Sequence, residues 1–125
     1  MIGRIGGVTA MLLVATEAHA DPKLIERLSS TIDCYTYYTV SSMYYQHIAK
    51  DASEAARYEA IRKSVMNRIF ADGTKRYRYP LDDVRAAIRA PVKVSIDKHS
   101  KAVEANGIDA LHDRMRKTCD QRFAR

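Results

Sequence analysis

Two cysteines, Cys34 and Cys119, are all this chain has, and they stand far apart in it. If they pair, they constrain the fold more than any other feature. The bond would close a loop holding most of the domain, and on the chain-entropy account so long a loop contributes about 4 to 5 kcal/mol. It would also force the segments around residues 34 and 119 to be neighbours. Whether they pair depends on the compartment, and the first twenty residues bear on that.

Residues 1–20 read as a cleavable export signal. Arg4 supplies a positive start, Ile5 to Ala15 is an apolar stretch of suitable length, and Ala18-His19-Ala20 presents the small-x-small pattern of a cleavage site at Ala18 and Ala20. The apolar stretch is well short of the roughly 20 residues that cross a bilayer. The expectation is a periplasmic or secreted protein beginning at Asp21, with no transmembrane segment after cleavage. An oxidising compartment then makes the Cys34–Cys119 bond the expected state. A catalytic thiol or a metal ligand finds no support, because CxxC and CxxCH are absent and no histidine stands at ligand spacing from either cysteine.

The remainder, residues 21–125, is of a size for one hydrophobic core. Helical signals run through it. Asp21 caps a first helix with Pro22 at its opening position, and Leu24, Leu28, Ile32, Tyr35 and Tyr38 keep a helical beat, with a bend expected near Ser41-Ser42. Asp51 and Glu54 form a capping box for a second helix whose stripe is Ala55, Tyr58, Ile61, Val65 and Ile69. Asp72-Gly73 ends it through the left-handed freedom of glycine, leaving Thr74 to Tyr79 as a loop or extended piece. A third helical region, Leu81 to about Ala105, contains Pro91, which predicts a kink or a break near Ala90. After Asn106-Gly107, Asp109 is the expected cap of a last helix that turns Leu111, Met115 and Cys119 inward. The predicted fold is all-α: a small up-down bundle of four helices, five if Pro91 splits the third, with first and last joined by the disulfide.

Charge points to the middle of the chain. The net charge is +6, unchanged by loss of Arg4 and Glu17 with the leader, and between Gly73 and Lys101 eight basic residues face three acidic ones. Within that segment Lys75, Arg76 and Arg78 alternate with Tyr77 and Tyr79. An extended backbone would turn the tyrosines to one side and Arg76 and Arg78 to the other. Arg85, Arg89 and Lys93 follow at four-residue steps. This is the candidate binding segment, for a protein or an anionic envelope component. Export argues against nucleic acid.

Five tyrosines, Tyr35, Tyr37, Tyr38, Tyr44 and Tyr45, crowd one helix and cannot share a face. Either the helix is central and its hydroxyls find partners at the bundle edge, or an aromatic surface, here Tyr37 and Tyr44, meets a partner or ligand. Reaction motifs are missing: no HExxH and no GxSxG occur, and the histidines His47, His99 and His112 fall on three helices. The His112-Asp113 pair is of the kind found in secreted phospholipases A2, but that family's calcium loop and cysteine pattern are absent. No cofactor or metal is implied. The leading expectation is an exported non-enzymatic interaction protein (accessory, inhibitor, immunity or chaperone-like). The alternative is a small envelope hydrolase, favoured if a histidine meets a carboxylate or serine in a cleft.

Overall fold

The structure, a computed structural model, describes residues 21–124, so the expected leader and its cleavage site lie outside the described residues. Four helices make the fold. Helix α1 is Pro22–His47, α2 is Ala52–Ala71, α3 is Leu81–Asn106 and α4 is Ile108–Met115. A π-helical turn, Asp72–Arg76, follows α2, and another, Arg116–Asp120, carries α4 into a final turn Gln121–Phe123. No strand occurs among the described residues.

Helix α1 is the axis of the bundle. From Thr31 to Ser42 nearly every residue is buried whatever its face, because α2, α3 and α4 pack around it. Tyr37, Tyr38, Leu24 and Cys34 are 0% exposed. Asp21 caps this helix by accepting from the Lys23 N–H at 2.9 Å, with Pro22 at its first turn, as expected. It runs unbroken through Ser41-Ser42, where a bend was expected; Ser42 Oγ donates to Ala55 O on α2 at 3.3 Å.

The stripe foreseen for α2 is the one that packs: Ala55, Tyr58, Val65 and Ile69 are buried, with Ile61 half-buried. Asp51 Oδ1 accepts the Glu54 N–H at 3.1 Å, while the Glu54 carboxylate turns to Arg57 instead of closing the box.

Pro91 does not divide α3. It sits inside one continuous helix, so the bundle has four helices and not five. Its ring removes one backbone bond, but α3 is anchored on both sides of it, by Val84, Ala87 and Ile88 before and by His99 after, all buried. Gly107 at φ 89° makes the corner between α3 and α4, and Asp109 falls in the first turn of α4 without capping it.

The Cys34–Cys119 bond is present, with a Cα–Cα distance of 5.4 Å. It ties the middle of α1 to the π turn after α4, and Leu111 and Met115 on α4 are buried.

Candidate functional site

The end of the bundle where α2 turns into α3 is built around Gly73. A Cβ there would lie 2.7 Å and 2.9 Å from the two methyls of Val84, which is itself 0% exposed, so glycine is required by close approach. Its backbone is not left-handed, contrary to the expected helix stop. Nor is the segment extended. Asp72–Arg76 winds into the π turn, closed by the Tyr77 N–H on Asp72 O at 2.8 Å and the Thr74 hydroxyl on Phe70 O at 2.7 Å. Arg78 then takes φ 65°, and the Tyr79 N–H returns to Gly73 O at 3.0 Å.

The segregation of side chains expected from strand alternation arises by this other route. Lys75, Arg76 and Arg78 are exposed, while Tyr77 and Tyr79 are half-buried. The Tyr77 ring has the Arg27 guanidinium 5.0 Å from its centroid and that of Arg76 at 5.6 Å. Tyr79 donates its hydroxyl to Asp21 Oδ2 at 2.6 Å; this bond holds the Asp21 carboxyl below its ordinary range. Arg85, Arg89 and Lys93 continue the basic row along α3, all exposed, with Arg85 paired to Asp82 at 3.5 Å.

The tyrosines of α1 behave as those of a central helix. Tyr37, expected on an aromatic surface, is 0% exposed and so offers no surface; its hydroxyl meets His112 Nδ1 at 2.8 Å. Tyr45 meets the other ring nitrogen, Nε2, at 3.1 Å. The rings of Tyr45, Tyr58 and His112 lie nearly parallel, with centroids 5.4 to 6.0 Å apart. Tyr38 donates to Asp120 Oδ1 at 2.8 Å, and Arg62 donates to the Tyr35 hydroxyl at 3.0 Å. Burial pushes the His112 pKa down and those of Tyr37 and Tyr38 up. Tyr44 is half-buried and lines an apolar groove with Met43, His47, Ile48 and Val103.

A polar cleft of about 510 Å³ opens beside His112, between Arg57, Asp109, Asp113 and Arg116. With both ring nitrogens held by tyrosines, His112 has none left to act as a base in it. Asp113 turns to Arg116 at 3.2 Å, so the His112-Asp113 pair is not a dyad.

One polar cluster had no sequence signal. Asp33 on α1 accepts on a single oxygen from His99 Nε2 at 2.8 Å, Lys98 Nζ at 3.0 Å and Ser95 Oγ at 3.2 Å. The bond from His99, before that from Lys98, holds the Asp33 pKa far below the carboxylate range. A groove of about 570 Å³ runs past Asp33, Ser95 and Lys98. Histidine, carboxylate and serine therefore do meet here, but in the wrong order for nucleophilic catalysis. A catalytic histidine stands between serine and carboxylate. Here Asp33 stands between Ser95 and His99, the Ser95 hydroxyl also meets that of Thr36, and His99 is 0% exposed with Nδ1 buried and unpartnered.

Among the described residues no group of three or more histidine, cysteine or acidic side chains is placed to hold a metal, and no helix is long and apolar enough to cross a membrane. Comparison of the chain with protein-family models, with curated proteins and with solved structures gave no match.

Proposed function

We propose that this is an exported, periplasmic or secreted, interaction protein that binds an anionic partner through the basic turn between α2 and α3. One observation carries the reading: Lys75 and Arg76 at the end of the π turn, and Arg78 just after it, are exposed and have no ion-pair partner among the described residues. Long cations held out by a seated backbone form a fixed field for an anion. The partner classes are an acidic protein surface or an anionic envelope component. The hydrolytic alternative is less well supported, since His99 is sealed and His112 has both nitrogens engaged.

The test is a triple variant, Lys75→Glu, Arg76→Glu, Arg78→Glu, compared with the wild type for binding to poly-glutamate and to anionic vesicles across a salt titration. The variant should lose binding while its stability moves by less than about 1 kcal/mol, because the residues are exposed and only Arg76 makes a side-chain contact, with the Tyr77 ring. Wild-type binding should fall as salt rises. A variant that binds like the wild type would overturn the reading.

A further inference from the structure

We infer that the partner of the basic turn is an anionic lipid bilayer, entered at its surface by Leu81. The inference rests on the anionic-partner reading and names the class of partner. Leu81 is 42% exposed at the first position of α3, directly after the exposed Pro80 and three residues beyond Arg78. Tyr77, between Arg76 and Arg78, and Tyr79, between Arg78 and this leucine, are each half-buried. Cations for phosphates, tyrosine rings for headgroup depth and a projecting apolar side chain are the three components of an interfacial anchor. A bilayer surface offers phosphates and an apolar layer side by side, which suits cations followed by an exposed leucine.

The nearby carboxylates do not cancel the field. Asp72 is paired with Arg68 at 3.4 Å and Asp82 with Arg85 at 3.5 Å, while Asp21, which accepts from the Tyr79 hydroxyl and the Lys23 N–H, keeps its charge and is outnumbered by the three cations. Asp83 is half-buried. The Tyr77 ring, approached by Arg76 from the turn and by Arg27 from α1, ties the turn to the body of the bundle.

The chain has no tryptophan, so a Leu81→Trp variant carries a single reporter of depth. With phosphatidylglycerol vesicles its emission should shift to the blue, and with phosphatidylcholine vesicles it should not. Neutralising the turn by Lys75→Gln, Arg76→Gln, Arg78→Gln should weaken binding to phosphatidylglycerol vesicles about a hundredfold, at about fivefold per charge near such a surface. Binding to the vesicles or to poly-glutamate without a blue shift would overturn bilayer entry and leave the anionic-partner reading standing. Absence of salt-sensitive binding to both probes would overturn both. The reporter and the wild-type salt titration need no charge change, so they decide even if the triple variant is poorly folded.

Discussion

Two histidines in this bundle are held in opposite ways. His99 on α3 is fully buried against a carboxylate, with Lys98 and Ser95 on the same oxygen, whereas His112 on α4 is half-buried among tyrosines, with a neutral hydroxyl on each nitrogen. The first arrangement lowers the carboxylate pKa because the donors favour the charged form; the second lowers the histidine pKa because burial disfavours its charge. The same residue type thus joins one helix pair by an ion-linked contact and another by neutral hydrogen bonds. Their supports differ too: α3 packs along α1 over most of its length, while α4 is short and stapled.

Removing the staple should separate the two most strongly. A Cys34→Ser, Cys119→Ser variant is expected to lose about 4 to 5 kcal/mol in urea denaturation. In its remaining folded population the ring signals of His112 should move toward those of a solvated histidine, while those of His99 stay put. Equal movement of both would show that α3 and α4 dock as one unit.

Truncating one partner in each cluster should separate them less. Asp33→Ala strands a sealed histidine and is expected to cost about 2 to 3 kcal/mol, a figure below that for a fully buried pair because Asp33 still reaches solvent. Tyr37→Phe removes one neutral hydrogen bond to His112 and should cost about 1 to 2 kcal/mol. Denaturation of the two variants side by side measures the difference, and a reversed order would refute the contrast.

The smallest effect is the response to pH, and it should fall in two windows. The folded pKa of His112 lies below its ordinary 6.5, so the unfolded chain takes up the proton first, and stability present above about pH 6.5 declines as pH falls through that value. Asp33 is depressed below 3.8, so its contribution is present above about pH 3.8 and is lost only as pH drops further. Urea midpoints between pH 7 and 5 should fall for the wild type and flatten in a His112→Asn variant. A wild-type midpoint that stays level over that range would remove the His112 half of the argument.

Much of the fold was legible because local rules and global packing agree. Asp21-Pro22 and Asp51 start helices where such residues do, the α2 stripe is buried as its spacing requires, and Cys34 and Cys119 had one intramolecular way to pair. What was not legible depends on contacts between distant residues. The close approach of Val84 to the π turn needs a glycine at residue 73, and Pro91 stays within a helix whose residues on both sides of it are buried. Asp33 and His99 are 66 positions apart and carry no motif between them. Five tyrosines on one helix exceed one face, which left Tyr37 open between a central helix and an aromatic surface; α4 covers it, and nothing local announces that cover. Of the candidate site, the exposed cations and half-buried tyrosines were readable from composition and order, but the backbone that presents them was not.

The disulfide also decides how the molecule bears load. Its two ends are 85 positions apart, and the loop they close contains all of α2 and α3. A pull applied to the chain on the outer sides of Cys34 and Cys119 would run through the covalent bond and leave that loop slack. Only the start of α1 and the turn after Cys119 could be drawn out. The basic turn, lying inside the loop, would keep its shape on a protein tugged by its ends.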